Sequence, residues 1–302
     1  MPYGYHPAEL RRRAADVENP GLSPDDILVT GRTAVVTGGG GGIGQGAALA
    51  LARFGANVAV LDVIPERCAA TAAAITRSGG SALGLPTDVM DTQALRAAIR
   101  RTHETFGSLD ILVNNAGGVR GGSFLTMPEA SMRRHVEINL MSMLVATQEA
   151  ANLMVADGRG GSIVNVSSIE GFRAAPDYAV YAACKAGMIN FTQTMALELG
   201  GHGIRVNGIA PDHTITPGLR GNRSGPVDPA SWPEDSPEDI ERWARLIPVG
   251  REGLVEECAA AIVWLCSGMS SYVTGETVSV DGGTRAGGGW SRRPGGGWTL
   301  IG

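Results

Sequence analysis

The sequence has no apolar run long enough to span a membrane, no basic cluster of the size that nucleic acid requires, and no cysteines with paired metal-ligand spacing. Its net charge is -5, with 25 basic residues scattered among 30 acidic ones. The four cysteines lie far apart or within helical patterns, which favours buried free thiols: Cys68, Cys184, Cys258 and Cys266. We therefore expect a globular protein without a metal, nucleic-acid or membrane partner. Because the N-terminus lacks a signal-peptide core, we also expect a cytoplasmic location.

The 302 residues are sufficient for one large α/β domain with a substantial core. From Thr33 onward, short β-branched or apolar runs alternate with ten or more residues of helical spacing. Strands are predicted near residues 33–37, 57–62, 81–86, 109–113, 161–167, 203–209 and 276–280. Helices are predicted near 43–54, 65–78, 91–106, 129–156, 178–200 and 255–267. This alternation indicates a single Rossmann-type domain, a doubly wound parallel sheet of about seven strands with helices on both faces.

A glycine-rich stretch, residues 37–44, lies between the first predicted strand and the first helix. Glycines let the backbone turn tightly and approach a pyrophosphate, and the N–H groups of the next helix attract negative charge. Glycine-rich stretches are often plain loops, so the stretch needs support from other residues. Asp62 supplies it, because this carboxylate lies about twenty residues further on, at the end of the second strand.

The carboxylate of Asp62 can accept hydrogen bonds from an adenosine ribose and would repel a 2′-phosphate. No Lys or Arg lies within the glycine turn or immediately after Asp62. We therefore predict NAD rather than NADP as the cofactor.

Tyr181 and Lys185 are one helical turn apart, so the ammonium can lie near the phenol and stabilise its phenolate. Such a pair on its own is typical of a helix surface. Ser168, at the end of a predicted strand, could donate a hydrogen bond to a carbonyl oxygen, and Ser167 is its rival. Asn139 is a polar residue within an apolar helix and could bridge backbone or water.

The chain resembles the short-chain dehydrogenase/reductase family over about residues 30–284. The resemblance is carried by motifs in the order and spacing of that family: Thr37-Gly38 with Gly42-Ile43-Gly44, Asp88-Val89, Asn114-Asn115-Ala116-Gly117, Asn139, Ser168, Tyr181 and Lys185. It implies that Tyr181 is the general acid/base, that Lys185 binds the nicotinamide ribose and lowers the pKa of the tyrosine, and that Ser168 polarises the substrate oxygen. Asn139 would hold a relay water.

The resemblance also implies a cofactor-binding set: Gly38, Gly42, Ile43, Gly44, Asp62, Asp88, Val89, Asn115, Ala116, Gly117, Tyr181, Lys185, Pro211, Thr214 and Thr216. Asp88 and Val89 would lie near the adenine, and the two threonines would hold the nicotinamide carboxamide. The family's glycine after the proline is replaced by Asp212. This substitution adds a side chain and a negative charge close to the nicotinamide. Family members also suggest a homotetramer or homodimer.

The chain outside the repeating pattern divides into three predicted segments: an N-terminal extension over residues 1–30, a substrate lid over about 212–248, and a Gly-rich tail over 285–302. The catalytic domain would occupy residues 31–284. A lid helix should begin after the N-cap Ser236, with Pro237 at its first position. The low complexity of the tail favours disorder, although Trp290 and Trp298 offer anchors on a neighbouring subunit.

Three functions are compatible with this sequence. The first is an NAD-dependent dehydrogenase of a secondary alcohol, hydrophobic or steroid-like because the lid helix offers Trp243 and Ile247. The second is a 3-hydroxyacyl-CoA dehydrogenase or 3-oxoacyl-thioester reductase, with Arg120 or Arg173 near a CoA phosphate. The usual preference of biosynthetic thioester reductases for NADPH counts against the reductase. The third is a non-catalytic NAD-binding protein, which the intact Ser-Tyr-Lys-Asn set disfavours.

Overall fold

A computed structural model describes Arg11 and residues 21–300, so most of the predicted N-terminal extension lies outside the described residues. Its main sheet has seven strands: β1 (Thr33–Thr37), β2 (Asn57–Asp62), β3 (Ser81–Pro86), β4 (Ile111–Asn114), β5 (Gly161–Val166), β6 (Ile204–Pro211) and β7 (Thr277–Val280). They pair in parallel in the order β3-β2-β1-β4-β5-β6-β7. The predicted Rossmann-type sheet is confirmed. The strand order reverses between β1 and β4, where such sheets bind ligands.

The helices that cover the sheet are α1 (Gly42–Arg53), α2 (Pro65–Arg77), α3 (Thr92–Phe106), α4 (Glu129–Val136), α5 (Ser142–Asp157), α6 (Ala179–Gly200), α7 (Pro237–Leu246) and α8 (Val255–Cys266). A short turn of helix, α9 (Thr284–Gly287), follows β7. The sequence predicts one helix over 129–156, but a five-residue π-helix, Glu137–Met141, separates α4 from α5. Local π geometry is common at functional sites, and this one contains the buried Asn139.

Alternating residues of each strand supply two separate cores. On β1, Ala34 and Val36 pack with α1 and α8, while Val35 packs on the other face with α3 and α5. All five residues of β1 are buried. A strand buried on both faces is continuously apolar, and this explains why the central strands are readable in the sequence.

The predicted lid segment contains α7, whose N-terminus is capped as expected. Ser236 Oγ accepts a hydrogen bond from the Asp239 N–H at 3.1 Å, and Asp239 Oδ2 accepts one from the Ser236 N–H at 3.4 Å. The Gly-rich tail differs from the expected disorder, since β8 (Ser291–Arg292) and β9 (Trp298–Thr299) form an antiparallel hairpin. The Arg292 guanidinium donates to the Pro248 carbonyl at 2.8 Å, which fixes the hairpin beside the end of α7.

Within the described ranges, no helix combines the length and apolarity needed to cross a bilayer.

The close approach of α1 to the glycine turn gives a stability prediction. A Cβ at Gly44 would lie 2.2 Å from the Gly38 carbonyl oxygen and 2.3 Å from Asn115 Nδ2. At Gly187, in α6, the nearest atom would be 3.6 Å away. We expect Gly44→Ala to lower the free energy of unfolding by about 3 kcal/mol or more through overpacking. Gly187→Ala should be neutral or stabilise by up to about 1 kcal/mol.

Urea denaturation of both variants measures the difference. Equal stability of the two variants would show that the glycine turn has room for a side chain, contrary to the structure.

Candidate active site

The glycine turn forms a cradle at the point where the strand order reverses. Gly38 and Gly42 have φ values of +62° and +55°, a left-handed conformation that glycine adopts without strain. Gly41 caps α1 without a side-chain hydrogen bond, and no acidic residue lies in the first turn of α1. The first N–H groups of this helix are therefore available to an anion.

Thr37 holds the cradle against the end of β4. Its Oγ1 accepts hydrogen bonds from the N–H groups of Asn115 at 3.0 Å and Ala116 at 3.1 Å. The Asn115 amide in turn donates to the carbonyls of Thr37 and Gly38, each at 3.1 Å. Asn115 and Ala116 thus fix the crevice between β1 and β4. Thr37 was not among the predicted site residues, although its place directly before the glycines is the signal that marks it.

Asp62 lies against the glycine turn, as its spacing predicts. Its Oδ2 accepts the Gly40 N–H at 2.9 Å and its Oδ1 accepts the Ile64 N–H at 2.9 Å. A Cβ at Gly40 would lie 2.8 Å from this carboxylate, so only glycine fits there. Each carboxylate oxygen keeps a further lone pair, and the pair can accept ribose hydroxyls. The glycine cradle and this carboxylate fit a dinucleotide.

Arg67 was not among the predicted site residues, although it lies beside the glycine turn and Asp62. Its side chain is buried, and a Cβ at Gly41 would lie 3.4 Å from its Nη1. Nε donates to the Gly225 carbonyl at 2.5 Å and Nη2 to the Asn222 carbonyl at 2.8 Å. The sequence signal that marks Arg67 is its position in the first turn of α2, because that turn lies close to the end of β2, where Asp62 is located.

The two predicted carboxamide-binding threonines have different surroundings. Thr216 packs against the cradle, because a Cβ at Gly42 would lie 3.2 Å from its Cβ. Thr214 is buried, and its hydroxyl donates to the Asp212 carbonyl at 3.2 Å. Pro211, the third member of this set, ends β6. The structure thus brings Thr216, and not the Thr214 hydroxyl, to the glycine turn.

The remaining predicted cofactor residues lie around the same edge of the sheet. Asp88 is exposed, and its Oδ1 accepts the Met90 N–H at 2.9 Å, while Val89 is buried in the core. Ile43 packs against the other core. A Cβ at Gly117 would lie 2.8 Å from Asn139 Oδ1, so glycine is required for that contact.

The structure distinguishes the two serines that follow β5. The Ser167 hydroxyl is buried and donates to the Lys185 carbonyl at 3.0 Å, which ties β5 to α6. Ser168 caps a short 3-10 helix by accepting the Glu170 N–H at 3.2 Å, and its hydroxyl interacts with the phenol of Tyr181 so as to lower the pKa of the tyrosine. Ser168, rather than Ser167, is therefore the serine that is paired with the phenol.

Lys185 and Tyr181 share one face of α6, with the Lys185 Nζ 5.6 Å from the centroid of the tyrosine ring. Nζ donates to the Val166 carbonyl at 2.8 Å and keeps two further donors. Burial lowers the pKa of Lys185 to about 8. Lys185 is also the only lysine in the chain.

The pKa of Tyr181 is raised by burial, and the nearby carboxylates of Glu170 and Asp212 raise it further. The hydrogen bond with Ser168 acts in the opposite direction. In this state the phenol is a proton donor, and added positive charge nearby would favour the phenolate.

The Asn139 amide is fully engaged with the backbone. Nδ2 donates to the carbonyls of Gly118 at 2.9 Å and His135 at 3.0 Å, and Oδ1 accepts the Gly118 N–H at 3.0 Å. Asn139 therefore joins the π-helix to the loop after β4. Only the second lone pair of Oδ1 remains on this side chain for a water molecule.

Asp212 and His213 connect this site to the lid segment. His213 has a φ of +34°, which is unusual for a residue with a side chain, and its ring packs against Trp243 of α7 with centroids 4.4 Å apart. Burial raises the pKa of Asp212, against the opposing charges of His213 and Arg173. No set of three or more His, Cys, Asp or Glu side chains in the described part of the chain could hold a metal ion.

Comparison with known proteins gives extensive matches. A family model described as Enoyl-(Acyl carrier protein) reductase matches residues 38–285. The 3-oxoacyl-(acyl-carrier-protein) reductase of Chlamydia muridarum is 35% identical over 260 residues, covering 85% of this chain and 98% of that protein.

Two solved structures match most of the chain and contain nicotinamide cofactors. A 7α-hydroxysteroid dehydrogenase complexed with NADH and 7-oxo-glycochenodeoxycholic acid has a TM-score of 0.79 and 32% identity, covering 87% of this chain and 97% of that chain. A gluconate 5-dehydrogenase from Burkholderia cenocepacia, complexed with NADP and tartrate, has a TM-score of 0.78 and 32% identity. The match covers 87% of this chain and 98% of that chain.

The buried ammonium predicts a distinct pH dependence of stability. The pKa of Lys185 is about 8 in the folded chain, against 10.5 for an ordinary lysine. Between these values the unfolded chain binds more protons at Lys185, so the contribution of this residue to the free energy of unfolding rises with pH. Lys185→Met removes this dependence. We expect the stability difference, wild type minus variant, to increase by roughly 3 kcal/mol from pH 8 to 10.5.

Urea denaturation at several pH values tests this expectation. Met188→Leu, a buried change on the same helix, removes no titrating group and should differ from the wild type by a constant amount. Parallel curves for wild type and Lys185→Met would contradict the assigned pKa.

Proposed function

Because the chain belongs to the short-chain dehydrogenase/reductase family, we propose that it transfers a hydride reversibly between NAD and a secondary alcohol or ketone. Family membership makes it an oxidoreductase that uses a nicotinamide cofactor. The observation that supports the reaction best is that Ser168, Tyr181 and Lys185 lie together, with Lys185 Nζ 3.7 Å from the position of a Cβ at Gly117, in the loop after β4. A non-catalytic role would leave this buried acid-base set without a use.

In the proposed oxidation, Tyr181 removes the hydroxyl proton of the substrate, and in reduction it returns a proton to the carbonyl oxygen. The bound nicotinamide ring supplies the hydride acceptor or donor. Ser168 donates a hydrogen bond to the substrate oxygen, on which charge develops. The Lys185 ammonium stabilises the phenolate form of Tyr181 and offers its remaining donors to a ribose hydroxyl. Asn139 holds the loop after β4 in place and positions a relay water through Oδ1.

The preference for NAD is proposed from Asp62, whose carboxylate lies at the glycine turn. A 2′-phosphate there would meet a like charge and would have to displace Arg67 from the carbonyls that it binds. The similar solved structures contain either cofactor, NADH in one and NADP in the other. The proposed preference for NAD therefore rests on the charge of Asp62 in this chain and not on its relatives.

We propose that residues 212–248 form a substrate lid. Trp243 contacts His213, next to Asp212, and Ile247 is buried at the end of α7. An apolar substrate body would pack against this segment, and the bile-acid ligand of the similar hydroxysteroid dehydrogenase agrees with such a body.

A second candidate is a 3-hydroxyacyl-CoA dehydrogenase or 3-oxoacyl-thioester reductase, which the chlamydial relative favours. Of the two arginines considered for a CoA phosphate, Arg173 is bound to Glu170 at 3.0 Å and lies near Asp212. Arg120 is exposed. The acidic surroundings of Arg173 disfavour a phosphate, so we place this function second.

We further propose a homodimer or homotetramer formed partly through α6, on which Leu197 is 85% exposed. The four free cysteines agree with the proposed cytoplasmic location.

The role of Tyr181 is tested by Tyr181→Phe. We expect turnover to fall by about a thousandfold or more, because the proton donor and acceptor is lost. NAD affinity should be nearly unchanged. The measurements are NADH absorbance with a panel of alcohols, hydroxysteroids and 3-hydroxyacyl-CoAs, and a fluorescence titration of NADH. An active Phe variant would rule out the assignment, and turnover of the thioesters alone would favour the second candidate.

The cofactor proposal predicts that kcat/KM with NAD exceeds that with NADP by at least about tenfold, the effect of a like-charge contact near the surface. Asp62→Ala should lower the ratio of the two kcat/KM values by raising kcat/KM with NADP. Asp88→Ala, at the end of the neighbouring strand, is the matched control and should leave the ratio nearly unchanged. Higher efficiency with NADP in the wild type would show that Asp62 does not set the preference.

A further inference from the structure

Asp212 carries a buried carboxylate oxygen that accepts no hydrogen bond from the described residues. The side chain is 10% exposed, and its Oδ1 accepts the His213 N–H at 2.9 Å. Oδ2 has no hydrogen-bond partner among the residues that the structure describes. The nearest cation, the guanidinium of Arg173, is 3.8 Å from Oδ2, beyond hydrogen-bond distance. Within the described ranges Oδ2 therefore has an ion-pair partner but no hydrogen bond, and a buried carboxylate oxygen without a hydrogen bond favours a ligand that donates one.

A cavity of about 330 Å³ adjoins this carboxylate at the carboxyl ends of β6 and β7. Its walls include the apolar side chains of Ile247, Val249 and Leu254. Three further charged side chains line it, but all are engaged. Glu257 is paired with Arg251 at 2.6 Å, and Asp281 accepts the N–H groups of Gly283 and Arg285. Among these charged wall residues, Asp212 is the one with a buried oxygen that accepts no hydrogen bond from the part of the chain that the structure describes.

The carboxylate of Asp212 also lies within electrostatic reach of the reacting groups, because its charge acts on Tyr181. Arg173 is bonded to Glu170, whose own N–H donates to Ser168, and the same guanidinium faces Asp212. Three carboxylates, those of Glu170, Asp212 and Asp281, act on this one guanidinium. The cluster therefore has more acidic than basic charge beside the paired Ser168 and Tyr181.

We propose that this cavity is a substrate subsite in which Asp212 binds a protonated amine carried near the reacting carbinol carbon. The inference rests on the proposed alcohol dehydrogenation and specifies its substrate class, an amino alcohol with an apolar body. An ammonium supplies both a hydrogen bond to Oδ2 and a charge that compensates the buried carboxylate. A hydroxyl supplies the hydrogen bond alone, and a carboxylate would be repelled.

Four alcohols with related carbon frames test the order of preference: 1-amino-2-propanol, 1,2-propanediol, 2-butanol and 3-hydroxybutyrate. Their binding is measured by calorimetry at pH 7 on the NADH complex of the enzyme, which cannot oxidise them. Their kcat/KM values are measured separately with NAD. We expect 1-amino-2-propanol to bind about tenfold to a hundredfold more tightly than 2-butanol, the range for one charge-assisted hydrogen bond. The diol should fall between them, and 3-hydroxybutyrate should bind most weakly.

Asp212→Asn keeps the shape of the side chain and should bring the amine and 2-butanol to within about twofold of each other, since the charge is lost. Asp212→Gly is a second variant in case the amide disturbs the turn. Glu257→Gln removes a charge from the same cavity wall, but one already paired, and should leave the amine preference intact. Thermal unfolding of each variant establishes that it is folded.

The outcomes separate this inference from the proposed function. Equal binding of the amine and 2-butanol by the wild type, an amine preference that survives in both Asp212 variants, or its loss in Glu257→Gln would overturn the subsite. Turnover of the other alcohols would still support the dehydrogenase in that case. Amine binding that depends on Asp212, without oxidation of any alcohol, would support the subsite and overturn the dehydrogenase.

Discussion

The contact between the first helix and the crevice of the sheet is the constraint on which this structure depends. Gly44 lies directly against the Gly38 carbonyl, and Asn115 closes the crevice by donating to that same carbonyl. Because no side chain separates helix from strand, the helix N-terminus lies at the end of β1 and adjacent to Asp62. The positions of the candidate cofactor residues on β2 and β4 follow from this one close approach.

The sequence predicts the central part of the fold well because its physical causes are local. Strands such as β1 and β5 are buried on both faces, and each contains a short apolar run, Ala34–Val36 in β1 and Ile163–Val164 in β5. Tyr181 and Lys185 are separated by one helical turn, so their proximity follows from the helix alone. The same holds for Ser236, which caps α7 through a contact three residues away.

Contacts between distant segments were not predictable in the same way. The three hydrogen bonds of Arg67 reach carbonyls more than 150 residues away in the sequence, and no local sequence pattern predicts them. The buried Thr214 hydroxyl contacts the thiol of Cys258. Sequence periodicity does not predict the orientation of such a side chain, because Thr214 lies in a loop. The π-helix around Asn139 is bound through that amide to the loop after β4, a contact that lies outside the local sequence pattern. In each case tertiary hydrogen bonding decides the conformation, and local propensity has little influence.

The buried ammonium has a consequence for the chemical reactivity of the whole protein. Every other basic residue among the 25 is arginine, so the protein surface carries guanidinium groups and no ε-amine. A pKa of about 8 leaves a fraction of Lys185 unprotonated, and therefore nucleophilic, near neutral pH. Acylating, glycating or aldehyde reagents would find a single lysine, buried beside Tyr181. Apart from the terminal α-amine, the protein's amine chemistry is confined to the proposed catalytic centre.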